Sequence, residues 1–420
     1  MRRYRSASKL KTAAVALTLV TIVAACGSTG TKSTSSNGKQ FTGSVTIGVP
    51  TVLTGPFAGF GQGADQGIKD AVAQLNANGG LLGKKVNPVF EDDGAKVPAA
   101  LTNSRGMVVQ DHAVALFGGS TSSTAAAEAG VAGQYKVPLM LWGGNDISLT
   151  TKDFNQYLFQ LEPSTYMEPL AFAQYMSKLS LTKYYFISPN YSFGHDDVNS
   201  FTAAMKKLGV KLDTTGTSYV QLFLNNYNSY ISAALATHPQ AIFLGIFSGD
   251  EITFIKQAET YGLFKNVKVA GPTGTDVLLA LKSGTPAGMI LNDRAPFFGI
   301  KDPAAMTYAN TYHAKYGSWP SEWALLGYSS IQTWAQGVKT AGTFDGTKVS
   351  KALSGATVNT VRGSFKIRGC DHQAVVPDYF GTVASKVNPK YGFPKLNNIF
   401  VSNPQQTLMP CSEAQALQHH

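Results

Sequence analysis

Two short runs of glycine and hydroxyl residues carry the strongest chemical signal in this 420-residue chain. Residues 119–124 read Gly-Ser-Thr-Ser-Ser-Thr and precede an alanine-rich stretch that predicts a helix. The first N–H groups of a helix have no partner within the helix, and small hydroxyl residues leave them open to a carboxylate. Ser122 and Ser123 are therefore predicted to bind an anionic group. The alternative is a helix cap that binds nothing, because Ser and Thr are common in caps.

The second run is Gly143, Gly144 and Asn145. Glycine lets a ligand approach the backbone closely, and the Asn145 amide can donate or accept a hydrogen bond. In the alternative interpretation, Asn145 stabilises its own turn. Both runs follow apolar segments, residues 113–117 and 137–142, that predict buried strands. Loops at the carboxyl ends of strands form the ligand site of doubly wound sheets, so the two runs are predicted to share one site.

Catalytic and nucleotide-binding motifs are incomplete in this sequence. Residues 59–64 fit the spacing of a dinucleotide-binding turn, but the preceding strand is predicted to end near Val49, too far back. Residues 79–85 are one spacer short of a phosphate-binding loop, and Lys85 replaces its Ser or Thr. No Gly-x-Ser-x-Gly occurs, and the histidines lack the spacing of metal ligands. We therefore predict no enzymatic activity, no cofactor and no metal.

The elements that position these loops begin with a strand–helix–strand unit at residues 45–93. Apolar residues alternate in a predicted strand at 45–49, recur at helical spacing from 63 to 75, and form a second strand at 86–90. Such a unit makes the two strands parallel. Pro88 removes a ladder donor and places the second strand at a sheet edge, as the strand order 2-1-3-4-5 requires.

The same segment resembles the amino-terminal block of type I periplasmic solute-binding proteins, in the leucine/isoleucine/valine-binding family of ABC importers. Three ordered motifs carry the resemblance, which continues to about Val383: Leu-Thr-Gly-Pro at 53–56, Asn-Ala-Asn-Gly-Gly-Leu-Leu-Gly at 76–83 and Glu-Asp-Asp at 91–93. It implies an α/β fold of two doubly wound, Rossmann-like lobes joined by a three-segment hinge. It also implies a receptor that captures a small organic ligand between the lobes and delivers it to an ABC permease.

Three segments are predicted to cross between the lobes, near residues 161–165, 292–295 and 362–371. The boundaries that follow are an N-terminal lobe of residues 41–163 plus 295–365, a C-terminal lobe of residues 164–294 plus 366–386, and a C-terminal extension of residues 387–420.

The resemblance also implies site residues. Phe60, Phe193 and either Phe247 or Ser248 match family aromatic positions and are predicted to supply apolar walls. Gly144 matches the family's backbone-contacting residue.

Thr273 is the main departure from the family. Amino-acid-binding members have an acidic residue at this position, which neutralises the ammonium of the ligand, whereas Thr can only form a hydrogen bond. Asp276 or Asp250 are the candidates to replace the acid. A buried ammonium without a counter-charge is costly, so the change otherwise favours a carboxylate, an amide or an aromatic acid.

Residues 1–25 predict an export signal, because a basic start is followed by an apolar run at 13–25 that is short for a membrane span. The run Val-Ala-Ala-Cys ending at Cys26 resembles a lipobox, which implies that Cys26 is lipidated and anchors the protein to the outer face of the cell membrane. An ordinary signal peptide is the alternative. Residues 26–40 are rich in Gly, Ser, Thr and Lys and predict a flexible tether.

After Cys26, only Cys370 and Cys411 remain. Two cysteines in an exported chain predict one disulfide, which would stabilise the fold by about 4 kcal/mol; two free thiols are the alternative.

The charge of the chain gives no support for binding to nucleic acid. Its 35 Lys and Arg against 25 Asp and Glu give +10, but five of the basic residues lie in residues 1–25 without an acid. The processed chain would carry +5, with no basic cluster interleaved with aromatics. We expect a monomer. Two other functions remain open at this point: a receptor of the same fold that signals to a partner protein, and, less favoured, a hydrolase.

Overall fold

Residues 41–272 and 274–418 are described by the structure, a computed structural model. The predictions made for the export signal, the tether, Cys26 and Thr273 lie outside this part of the chain. Within it, no helix combines the length and the apolar character that crossing a membrane requires.

The first sheet contains five parallel strands in the order β2-β1-β3-β4-β5. The strands are β1 (Gly43–Thr51), β2 (Lys84–Asp92), β3 (Leu116–Gly118), β4 (Leu139–Leu141) and β5 (Leu158–Gln160). All residues of the three short strands are buried, as expected where helices cover both faces of a parallel sheet. Pro88 lies in β2 at the sheet edge, so the predicted strand order is confirmed.

The second sheet contains seven strands in the order β14-β13-β10-β9-β8-β6-β7. These are β6 (Lys183–Pro189), β7 (Asp213–Val220), β8 (Ala241–Leu244), β9 (Lys268–Gly271), β10 (Ile290–Asp293), β13 (Tyr379–Val387) and β14 (Pro394–Val401), while β11 (Thr357–Thr360) and β12 (Gly363–Lys366) form a separate antiparallel pair. The strands β6 to β10 are parallel, and β13 and β14 are added antiparallel at one edge.

The helices follow the strands in the alternation expected of an α/β fold. They are α1 (Ala58–Ala77), α2 (Val97–Val109), α3 (Ser122–Tyr135), α4 (Met167–Met176), α5 (Ser192–Lys207), α6 (Asn228–Ala236), α7 (Ser248–Thr260), α8 (Thr275–Leu281), α9 (Pro303–Tyr316), α10 (Glu322–Ala341), α11 (Gly346–Leu353), α12 (Pro404–Thr407) and α13 (Cys411–Gln418). We call the first sheet with α1–α3 and α9–α11 the first lobe, and the second sheet with α4–α8 and α12 the second lobe.

Helices α1 and α10 pack backbone to backbone in the first lobe, although about 260 residues separate them. An ideal Cβ on Gly67 would lie 1.9 Å from the Ala324 carbonyl oxygen, and one on Gly327 would lie 2.3 Å from the Ala64 carbonyl oxygen. Only glycine permits this approach at both positions. The first lobe is therefore built from two segments that lie far apart in the sequence.

The C-terminal residues continue the second lobe. Strand β14 lies within the predicted extension, residues 387–420, and pairs with β13, so this segment is part of the second sheet. A disulfide joins Cys370 to Cys411. At the end of α13, the Gln418 amide donates to the carbonyl oxygens of Thr150 and Cys370, at 3.2 and 3.0 Å. These contacts hold the end of the described chain against the body of the protein.

Candidate functional site

A cavity lies between the two lobes, at the carboxyl ends of strands from both sheets. The space between its lining atoms is about 460 Å³ when the part open to solvent is included. Its lining residues are Phe60, Ser120, Thr121, Ser122, Gly143, Asn145, Glu168, Tyr191, Phe193, Phe247, Pro272, Asn292, Arg294 and Trp323. Both lobes contribute, so a ligand in this cavity would touch both.

The start of α3 forms the polar wall on the first lobe. Thr121 caps the helix, because its hydroxyl accepts from the Thr124 N–H and the Thr124 hydroxyl accepts in return from the Thr121 N–H. The buried Glu128 carboxylate accepts from the Gly119 N–H at 2.7 Å and holds the loop that precedes the helix. Burial raises the pKa of Glu128 well above its usual value. The loop is thus fixed beside the cavity, which Ser120, Thr121 and Ser122 line. The start of a helix favours an anion.

Aromatic rings form the apolar walls. On the first lobe, the Phe60 ring lies 4.0 Å from that of Trp323 between centroids. On the second lobe, the Phe193 and Phe247 rings meet edge to face at 5.7 Å. Phe60 and Phe247 are 6.5 Å apart across the cleft. Rings from both lobes therefore enclose a space suited to an apolar or aromatic ligand body.

A buried ion-pair network forms the floor of the cavity. Arg294 donates to Glu162 at 2.9 Å, to Glu168 at 2.8 Å and to the Gly143 carbonyl oxygen at 3.2 Å. The Asn145 amide also donates to Glu168, at 2.9 Å. Burial raises the pKa of Glu162 to about 7, and the Arg294 guanidinium acts in the opposite direction. In residues 41–272 and 274–418, no three His, Cys, Asp or Glu side chains come together as a metal site would require.

Five of the residues predicted from the sequence line the cavity: Phe60, Ser122, Asn145, Phe193 and Phe247. The Ser122 hydroxyl accepts from the Asp146 N–H at 3.2 Å, so it joins the two predicted loops. The Asn145 Nδ2 donates to the Glu168 carboxylate and to the Pro163 carbonyl oxygen, at 2.9 Å in both cases.

Two predicted residues lie elsewhere. Ser123 is exposed to solvent, one residue beyond the start of α3. Gly144 does not line the cavity; an ideal Cβ there would lie 2.7 Å from the Thr121 carbonyl oxygen and 2.8 Å from the Ala125 Cβ. Gly144 therefore lets its loop pack on α3, and the adjacent Gly143 faces the cavity.

The two candidates for the missing acid, Asp276 and Asp250, do not line the cavity. Asp276 lies in the first turn of α8 and lines a separate, wider groove between the lobes. Its N–H donates to the Glu322 carboxylate at 2.9 Å. The Asp250 carboxylate accepts from the Phe223 N–H at 2.9 Å. Neither acid belongs to the cavity lining.

Ser120 and Thr121 also line the cavity and lie in the predicted run 119–124, although they were not singled out there. Sequence reasoning missed Glu168, Tyr191, Pro272, Asn292, Arg294 and Trp323. Asn292 and Arg294 had a signal, since they fall in the predicted crossing at residues 292–295. No local sequence pattern indicated Trp323, because Phe60, the ring it packs on, lies more than 260 residues earlier in the chain.

The lobes touch directly beside the cavity. Phe57 of the first lobe is fully buried, with its ring 4.7 Å from that of Phe223 and 4.9 Å from that of Phe247 in the second lobe. An ideal Cβ on Gly249 would lie 2.2 Å from the Pro56 carbonyl oxygen. The structure therefore represents a closed arrangement in which Gly249 permits the approach of the lobes.

Comparison with known sequences identifies a family match across most of the chain. Residues 44–388 match the family described as periplasmic binding protein. Among curated relatives, the Leu/Ile/Val-binding protein homolog 4 of Brucella abortus (strain 2308) is 24% identical over 368 residues, covering 83% of this chain and 87% of the relative.

Solved structures agree with the fold. A solute-binding protein of an ABC transporter from Rhodopseudomonas palustris BisB5, in complex with 3,4-dihydroxybenzoic acid, has a TM-score of 0.76 at 21% identity and covers 87% of this chain and 99% of its own. The branched-chain amino acid transporter substrate-binding protein of Streptococcus pneumoniae, in complex with isoleucine, has a TM-score of 0.75 at 20% identity, with coverages of 86% and 100%. At these identities the likeness concerns the fold.

Proposed function

Because this chain belongs to the periplasmic binding protein family, a family of extracytoplasmic solute-binding proteins, we propose that it is the receptor of an ABC importer. In this proposal the receptor is held at the outer face of the membrane by a lipid on Cys26. It captures a small organic ligand between its lobes and presents it to the permease. No covalent step is required.

The observation that carries the proposal is the cavity between the lobes. A ligand that contacts both lobes favours the closed form over an open one, and this differential affinity drives the hinge motion. The permease would then recognise the closed form. The cavity has the aromatic lining and the small number of polar groups that are typical of small-molecule sites.

We propose that the ligand is a small carboxylate. Amides and amino acids are the other ligand types to test. The start of α3 suits a carboxylate, because the unpaired N–H groups of a helix start favour an anion and Ser120 and Ser122 beside it line the cavity. Relatives of the same fold carry isoleucine or 3,4-dihydroxybenzoic acid in their complexes, so both chemistries belong in a screen.

The first prediction is a ligand-dependent rise in melting temperature. We expect benzoate or leucine, or a close analogue of one of them, to stabilise the protein, because binding to the folded state adds about 2.7 kcal/mol at a hundredfold excess over Kd. Thermal shift on the chain from residue 27 measures this. The methyl ester of the same acid is the control and should have no effect. If no amino acid, amide or carboxylate raises the melting temperature, the proposed function is wrong.

The second prediction concerns the anchor. Cys26→Ala should move the protein from the membrane fraction to the soluble extracellular fraction, because the residue that would carry the lipid is gone. Cell fractionation and immunoblotting measure the distribution. Ser28→Ala, a change in the adjacent tether, is the matched control and should stay with the membrane. Retention of Cys26→Ala in the membrane fraction would contradict lipid anchoring.

A further inference from the structure

A contact between two acidic residues joins the lobes outside the ligand cavity. Glu322, at the start of α10 in the first lobe, is 2% exposed, and its Oε2 accepts from the N–H of Asp276, in α8 of the second lobe, at 2.9 Å. An ideal Cβ on Gly274 would lie 1.6 Å from Glu322 Oε1. The Glu322 carboxyl therefore occupies the space that any side chain at position 274 would need, and in the closed arrangement it is set into the second lobe.

Further acids of the second lobe lie near this contact. Glu251 in α7 is fully buried, and neither of its carboxyl oxygens has a hydrogen-bond partner among the described residues. Burial, followed by repulsion from Asp276, raises the pKa of Glu251 well above its usual value. Asp293 in β10 is 1% exposed and accepts from the N–H of Thr275 at 2.8 Å. On closing, Glu322 thus enters an acidic part of the second lobe.

The basic side chains nearby do not neutralise these acids. The groove that Asp276 lines also contains Lys282, His313 and Lys390, but none of the three forms an ion pair with an acid in the described part of the chain. The Lys390 ammonium instead lies over two aromatic rings, 5.5 and 5.3 Å from their centroids. Two buried carboxylates in contact without a cation are strongly disfavoured, so the pair of Asp276 and Glu322 must hold a proton in the closed arrangement.

Opening of the lobes removes this requirement. The groove beside Asp276 also includes Pro56 and Gly249, where the lobes touch, so separation there would take Glu322 away from the second lobe. A hydrated glutamate ionises with a pKa of about 4.3. In the closed arrangement, burial raises the pKa of Glu322 well above its usual value, and repulsion from Asp276 and Asp293 raises it further. Because the closed form binds the proton more tightly, closing becomes more favourable as the pH falls between the two pKa values.

We propose that Glu322 is a positioning residue for lobe closure, whose carboxyl takes up a proton from solvent as it enters the second lobe beside Asp276, so that acidic pH favours the closed form. The proton returns to solvent when the lobes open. The next residue, Trp323, lines the ligand cavity, so proton uptake and enclosure of the cavity occur together. This inference goes beyond the proposed solute-binding function, because it concerns the closing motion in the absence of any ligand.

Double electron–electron resonance between two spin labels measures the separation of the lobes without a ligand. Ala73→Cys in α1 and Lys256→Cys in α7 place the labels at exposed positions of opposite lobes, outside the groove. In a Cys26→Ala background only these thiols react, because Cys370 and Cys411 form a disulfide. We expect the ratio of closed to open molecules to rise about tenfold or more from pH 8 to pH 5. An unchanged ratio, or a shift towards the open form, would overturn the proposal.

Two variants assign the response to the pair of acids. Glu322→Gln keeps the shape of the side chain, and its amide can accept from the Asp276 N–H and donate to the Asp276 carboxylate, as a protonated glutamate does. It should be as closed at pH 8 as the wild type is at pH 5, and its ratio should change by less than about twofold with pH. Asp276→Asn removes the acid that faces Glu322 and should make the response smaller than that of the wild type.

The matched control is Glu259→Gln, the same change at an exposed position of α7, which should respond to pH as the wild type does. A full wild-type response in Glu322→Gln would assign the proton to another group, such as Glu162, and overturn the proposal. If Glu322→Gln does not fold, Asp276→Asn decides against the same control, and a full response there would overturn the proposal. Each of these outcomes leaves solute binding to be judged by the thermal-shift screen.

Discussion

Gly249→Ala should weaken ligand binding by about a hundredfold without destabilising the folded protein. The added Cβ would lie 2.2 Å from the Pro56 carbonyl oxygen, so the lobes must stay more than 1 Å further apart than in the closed arrangement. Overpacking of this kind costs about 2–3 kcal/mol, and the cost falls only on the closed form because opening separates the two residues. Titration with the best ligand of the screen measures the affinity.

The matched control is Gly106→Ala in the interior of α2, where an ideal Cβ meets nothing within 4 Å. This variant should keep the wild-type affinity and gain about 0.5–1 kcal/mol of stability, since alanine favours the helix. Small-angle scattering adds a direct readout: ligand should reduce the radius of gyration of the control but not of Gly249→Ala. A normal affinity in Gly249→Ala would show that this contact does not limit closure.

Arg294→Met should lower the free energy of unfolding by about 3–5 kcal/mol at pH 8, the usual cost of removing one partner from a buried ion pair. The change keeps much of the side-chain length but removes the cation that Glu162 and Glu168 share, and leaves Glu162 with the smaller effect of Arg362. The side chains of the two acids are 0% and 7% exposed. Urea denaturation measures the loss. A smaller effect than 1 kcal/mol would mean that the carboxyls are already neutral in the wild-type protein.

The loss should depend on pH in a defined direction. Burial already raises the pKa of Glu162 to about 7 with Arg294 present, and removing the cation raises it further. The variant therefore binds a proton at this site more readily than the wild type, so the stability gap between them should narrow as the pH falls from 8 to 5. Arg105→Met, at an exposed position of α2, should stay within about 0.5 kcal/mol of the wild type at every pH.

Local patterns sufficed for much of the fold. The parallel unit of β1, α1 and β2 follows from apolar periodicity, and Pro88 placed β2 at the edge because it cannot donate. Strand β7 was missed, since its sequence Asp-Thr-Thr-Gly-Thr-Ser-Tyr-Val has little apolar character and only its last residue is buried. An edge strand needs no apolar run, so its residues carry no such signal.

The loops that form the site could be predicted from the sequence, but not always which of their side chains line the cavity. The strand-end rule found the α3 start, yet Ser122 lines the cavity while Ser123 is exposed, because one residue turns the side chain by about 100° around a helix. The strand-end loop after β9 also suggested Asp276, which instead meets Glu322 of the other lobe. Contacts between distant segments, such as Phe60 with Trp323, leave no local pattern to detect.

The backbone contact between α1 and α10 has a consequence for the order of assembly. Helix α1 is complete by residue 77, but α10 starts at residue 322, so the face of α1 that packs on α10 has no native cover until most of the chain has been made. The second sheet waits still longer, because β13 pairs with β10 only after residue 379. Neither lobe can therefore finish folding while the chain is emerging. Both must be completed late, and the unfinished chain must be kept from aggregating until then.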